Sequence, residues 1–223
     1  MESTGGTVEI ITGLHIGDLF FMLQGAKRTI ILTLVSISIG TILGLFIGIL
    51  RGLFNKYINY IFGLFLDFVR SVPLIIQFIL VNAYFGISGH AKSPFFIGVL
   101  VLSIYSGAYI SEVVRAGVLA VPLTTRRAAR SLGLSWFHDL FYIVFPIGSR
   151  AVFPSWINIV IGLFKDTSLI AVIGYIELLR AGEIIITRTW EPMLVLSGVG
   201  LFYFIICYPI SKWSERFEKK VLT

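Results

Sequence analysis

A chain of 223 residues could form one or two soluble domains, but 57% hydrophobic residues against 13% charged, at a mean hydropathy of +0.92, cannot cover a soluble surface. That balance excludes an ordinary globular protein and predicts an all-α integral membrane protein. The formal net charge of +6 sits between the apolar runs, and a single cysteine, Cys207, excludes a disulfide framework and a cysteine metal site.

Residues 1–26 intersperse Ile11, Leu14, Ile16, Leu19, Phe20 and Leu23 with His15, Asp18 and Gln24, predicting a short N-terminal interfacial helix. No basic region leads into an apolar core there, so no cleavable signal peptide is expected. Thr29 to Leu50 carries no charge and suffices to cross a hydrocarbon core of about 30 Å at about 1.5 Å per residue. Gly40, Gly44, Gly48 and Gly52, four apart, form a stripe on which another helix can pack closely.

A second span is expected from about Tyr57 to Tyr84, kinked at Pro73, with Asp67 and Arg70 three apart and able to pair. After a Gly- and Pro-bearing turn, a third runs from Pro94 to about Ser111, ending at Glu112 and Arg115. A fourth starts near Ala151, but its uncharged run stops at Lys165-Asp166, and an apolar piece from Thr167 to Ile176 follows. Charges between two half-length segments suggest a broken helix lining a cavity, or a pair locking an interface. Residues 177–191 are polar and mixed in sign and suit a surface segment. Pro192 to Ser211 forms the fifth span, before a charged tail at 214–223.

The polar stretch from Glu112 to Pro146 interrupts this pattern. Val121-Pro122 stops the preceding helix, Thr124 or Thr125 can cap a new one, and Gly133 ends it. Ala128, Ala129 and Leu132 fall on one small face of that helix, and Arg126 and Arg130 share another. Ser135 can cap a second short helix, Trp136 to Phe145, closed by Pro146. The product is a helix-turn-helix knob, or an amphipathic segment on anionic lipid.

Basic residues number eleven on the side holding the knob and tail and six on the other. The positive-inside rule then places the N-terminus outside and the C-terminus in the cytoplasm.

Ala128-Ala129, Gly133 and Ile143-Val144-Phe145-Pro146 have the spacing of the E-A-A-x3-G-x9-I-x-L-P loop of ABC importer permeases, with Arg127 in place of the opening glutamate and Ile147 where glutamine often follows the proline. Arg70 to Leu74, Ala108-Tyr109 with Glu112 and Arg115, Pro154 with Asn158, Lys165 to Leu169, and Glu177-Leu178 further resemble the polar amino acid branch. The likeness covers the chain from about Gly25 onward. It implies a type I ABC importer fold with five transmembrane helices in a domain at 27–213, whose coupling loop spans about 116–146. It also implies an inner (plasma) membrane location, a second permease copy or paralogue, a cytoplasmic ATPase dimer and an extracytoplasmic solute-binding protein.

On that resemblance Arg126, Arg127, Ala128, Ala129, Arg130 and Gly133 meet the ATPase. Lys165, Asp166 and Thr167, then Glu112, Asp67 and Arg70, are expected in the pathway, where an amino acid's carboxylate and ammonium need both signs. The sequence contains no Gly-Lys pair and therefore no phosphate-binding loop, so ATP is expected on a partner. No catalytic residue, metal, cofactor or nucleic acid is expected, since His15, His90 and His138 are scattered. The competing reading is a self-sufficient secondary transporter of small polar solutes; no repeat between the halves points to one.

Overall fold

The computed structural model describes residues 13–53 and 56–222. Helix α1 (Ile16–Leu53) is continuous for 38 residues. The separate interfacial helix expected within residues 1–26 is therefore replaced, from Ile16 on, by an extension of the first span; residues 1–12 lie outside the described residues. No proline falls between Asp18 and Thr29, so the helix continues, with Gln24, Lys27 and Arg28 on its exposed side.

Helix α2 (Lys56–Ser71) and helix α3 (Leu74–Ile87) meet at Pro73 at 99°. The expected kink in one span is thus a sharp corner between two short helices. Gln77 holds it, its side-chain Nε2 donating to the carbonyls of Val69 and Val72, both at 2.8 Å, which the interrupted ladder leaves free.

Helix α4 (Pro94–Ala120) is capped by Ser93 and runs past Ser111, where the third span was expected to end. Against α1 it makes the most extensive helix contact among the described residues. A Cβ on Gly40 would lie 3.0 Å from Ser103 O, and one on Gly48 2.6 Å from Ser111 O. The glycine stripe therefore seats one backbone on the other, which dispersion favours where water is absent. Both helices number upward in the same direction along this seam, so the bent pair α2 and α3 must return the chain between them.

Helix α5 (Leu123–Ser131) and helix α6 (Trp136–Asp139) form the knob. Pro146 does not close the second knob helix, contrary to expectation. A π-helical turn, Leu140–Val144, leads into helix α7 (Phe145–Asp166), with Pro146 in its first turn, where a missing N–H costs nothing. The helix breaks after Asp166 into a 3₁₀ stretch, Thr167–Ile173, ended by Gly174 at φ +84°. Helix α8 (Leu178–Thr189) and helix α9 (Pro192–Leu222) complete the fold, and the tail is the last turns of α9.

Phe153 packs on Trp213 and Phe217, and Phe164 on Phe202 and Tyr203, so α7 and α9 are antiparallel. The end of α9 therefore lies at the knob end and the start of α1 at the other. Among the described residues, four helical stretches are long and apolar enough to cross a membrane, or five with the bent pair counted as one. The core lies among α1, α3, α4 and α7, around Leu32, Phe78, Ile97, Leu102 and Ile170, all fully buried.

Candidate coupling knob and translocation cavity

The knob hangs between α4 and α7. Pro122, rather than Thr124 or Thr125, takes the capping position of α5, without a side-chain cap. Gly133, at φ +86°, ends the helix, and Leu134 N–H reaches back to Ala129 O at 3.2 Å. Ser135 then caps α6 as expected, accepting from His138 N–H.

The face expected to dock is only partly free. Ala129 is buried within the knob itself, whereas Arg127, Ala128, Leu132 and Gly133 are exposed. Arg126 turns inward to Asp139, a residue with no exposed surface that sequence reasoning did not single out, and Arg130, half exposed, reaches toward it. Arg126 donates from Nε at 3.0 Å and from Nη2 at 2.8 Å to the same oxygen, Oδ2, and Arg130 Nη2 stands 3.6 Å from it. The one sequence signal was an acid facing the arginines of a basic loop.

A second charged group lies on the α4 side of the knob. Glu112 receives Arg51 Nη1 at 2.9 Å on Oε2 and Arg115 Nε at 2.9 Å on Oε1, and Arg70 Nη2 comes within 4.0 Å. Arg70 pairs with Asp67, as their spacing predicted, and lies over the Tyr109 ring at 5.9 Å. Arg51 adds Asn59 Oδ1 at 3.1 Å and Ser111 Oγ at 3.4 Å. Arg51, in the last turn of α1, is buried. An ionised side chain in an apolar helix costs roughly 2.5 kcal/mol or more unless paired, so Arg51 and Glu112 needed each other.

The expected pathway residues divide between two places, with Glu112, Asp67 and Arg70 in this cluster and Asp166 in a cavity. That cavity, of about 210 Å³, opens between α4 and α7 and is lined by Tyr105, Ser106, Tyr109, Ile159, Leu163 and Asp166. Tyr109 belongs to both places, its ring beside the cavity and under Arg70. Lys165 is exposed, and among the described residues it makes no ion pair with Asp166. Thr167 is fully buried and donates to Phe164 O at 2.7 Å, closing the helix break rather than facing the cavity.

Residues 177–191, expected at the surface, instead bury one side of α8: Leu178, Ala181, Gly182 and Ile185. Glu177 caps the helix, taking Leu179 N–H and Arg180 N–H at 2.8 Å each, while Thr29 Oγ1 accepts from Leu178 N–H at 3.2 Å. Burial pushes the Glu177 carboxyl above its usual range, against the lowering effect of its two backbone donors. The segment read as polar because its charges occupy the other face.

Apolar spanning helices, a two-helix knob between two of them and a cavity walled by the same two, with the Asp166 carboxylate in its lining, define a membrane-embedded transport subunit. The chain belongs to the family of binding-protein-dependent transport system inner membrane components, whose profile matches residues 40–222. It is a multi-pass inner-membrane permease, and membership of a binding-protein-dependent family sets aside the self-sufficient secondary transporter. It is similar to the glutamine transport system permease protein GlnP of Escherichia coli (strain K12), at 31% identity over 204 residues, covering 90% of this chain and 92% of GlnP. It also resembles the probable amino-acid ABC transporter permease protein YckA of Bacillus subtilis (strain 168), at 33% identity, covering 94% and 92%. Among solved structures, an amino acid ABC transporter crystallised with histidines matches at a TM-score of 0.81 and 29% identity, covering 90% of this chain and 94% of that one.

Proposed function

We propose that this chain is the permease subunit of an ATP-driven importer of a polar amino acid. It pairs with a second permease, receives substrate from an extracytoplasmic binding protein and is driven by a cytoplasmic ATPase dimer. The observation that carries this reading is the placement of the knob between α4 and α7, the two helices that wall the cavity. A force on the knob moves both walls, which is what alternating access requires.

Arg127, Ala128 and Leu132 form the exposed contact for the ATPase. The Asp166 carboxylate attracts the substrate's ammonium, and the Tyr105 and Tyr109 hydroxyls offer hydrogen bonds. Arg70, across the Tyr109 ring, supplies positive charge for a carboxylate. The names of the relatives, glutamine and amino acid transporters, support the substrate class. The excess of basic residues at the knob end supports a cytoplasmic knob and C-terminus and an outer N-terminus.

The test is to co-purify the detergent-solubilised chain with the ATPase encoded beside it. ATP hydrolysis is then followed with the neighbouring binding protein and L-glutamine, L-histidine, L-arginine or L-cystine. Stimulation by one of them is expected; an inserted chain that captures no ATPase would overturn the reading.

A further inference from the structure

Asp139 links the two halves of the knob. It is the last residue of α6, immediately before the π-helical turn that leads into α7, and both its ion-pair partners lie on α5, one turn apart. A buried carboxylate is tolerated only with compensating charge, so α5 cannot pivot away from α6 while Asp139 stays ionised. Few other interactions hold α5: most of its residues are exposed, and Ala129 is its only buried side chain. The adjoining turn is the weak point of the connection, since a π-helical turn carries a residue too many for the regular ladder and bends more readily than α-helix.

We propose that Asp139 is the positioning residue of energy coupling, the latch through which displacement of α5 reaches α7. The proposal rests on the importer reading above. Arg126 and Arg130 then act within the permease, and the contact with the ATPase falls to Arg127, Ala128 and Leu132. Only Arg126 is committed at hydrogen-bond distance. Arg130 is half exposed at 3.6 Å, and Asp139 Oδ1, also buried, has no hydrogen-bond partner among the described residues. The latch therefore has an acceptor to spare, and Arg130, already 3.6 Å from Oδ2, is placed to use it when the knob is loaded.

Without the latch, the ATPase still binds the outer face of α5, but its stroke tilts α5 instead of moving α7. The signature is uncoupling rather than loss of assembly. The test compares the unmodified permease with Asp139→Asn and with the exchange Arg126→Asp/Asp139→Arg. Each is reconstituted in vesicles with the ATPase and binding protein, measuring bound ATPase, ATP hydrolysis and uptake of L-glutamine, L-histidine, L-arginine or L-cystine. Asp139→Asn is expected to retain ATPase and hydrolyse ATP while uptake per ATP falls about tenfold, a common size for coupling between sites. The exchange should recover at least half of that loss.

Unchanged uptake per ATP in Asp139→Asn overturns the latch alone. So does loss of ATPase binding that the exchange fails to repair, because Asp139 would then serve folding or contact. If the unmodified complex itself shows no amino-acid-dependent hydrolysis, the importer reading falls and the latch with it.

Discussion

Arg51 on α1 and Glu112 on α4 meet at 2.9 Å although 61 residues separate them, and Arg51 retains only 8% of its surface. The pair joins these two helices just below the knob, and Arg115 and Arg70 share the same carboxylate. Replacing Arg51 with methionine keeps the stem's packing but removes the charge that Glu112 faces across the seam. Because Arg115 and Arg70 still face Glu112, the loss should be that of one charged hydrogen bond, about 1.5–3 kcal/mol, read as a lower denaturant midpoint in detergent. Glu112→Gln leaves an acceptor for only one of the two arginines and turns an NH2 toward the other, so it should cost at least as much.

The glycine seam makes a steric prediction. A methyl on Gly44 would sit 2.6 Å from Ile110 Cβ and 3.0 Å from Gly107 O, so Gly44→Ala must push α1 and α4 apart. Overpacking of this kind costs about 1–3 kcal/mol. Gly86→Ala, with nothing within 4 Å of its Cβ, should leave the thermal midpoint unchanged or slightly raised. Equal effects from the two variants would show that the seam is not tight.

Glu177, between the spans, links stability to pH. Its carboxyl binds protons more readily folded than unfolded, since burial raises it from an ordinary value of 4.5. Its contribution is thus fully present below the usual carboxylate range and is lost as pH rises through the elevated folded value. Glu177→Gln should remove that slope. The melting difference, unmodified minus variant, is expected to decrease steadily from about pH 4 upward until the folded group has ionised. A difference independent of pH would mean that Glu177 acts only as a helix cap.

In the cavity, Asp166→Asn removes the charge but not the shape. Loss of a charged hydrogen bond to the substrate's ammonium, about 1.5–3 kcal/mol, should weaken uptake affinity by tenfold or more while ATPase association stays intact. Lys165→Ala, at an exposed position outside the cavity lining, should change uptake little. The opposite ranking in a vesicle uptake assay would move the pathway to the other side of the helix break.

Much of this was written locally. The run from Thr29 to Leu50, the glycines four apart, the Asp67–Arg70 spacing, the break after Asp166 and the turn at Gly133 each depend on neighbours within a few residues. The errors had local causes too. Pro146 reads as a stop, yet a proline in a first turn also opens a helix, and only the π-helical turn before it distinguishes the two. The charges of residues 177–191 concealed that α8 has a buried side.

By itself the sequence determined the membrane class, the helical spans and the existence of a knob, because hydropathy and helix punctuation act along the chain. Tertiary structure alone decided which charges far apart in the chain are partners. Arg126 and Arg130 only shared a face of the expected helix until α5 folded back on α6 and gave them Asp139, and Arg51 lay 61 positions from Glu112 until α4 brought the two together. Coulomb energy depends on distance and on how much water remains, and both are set only when the helices pack.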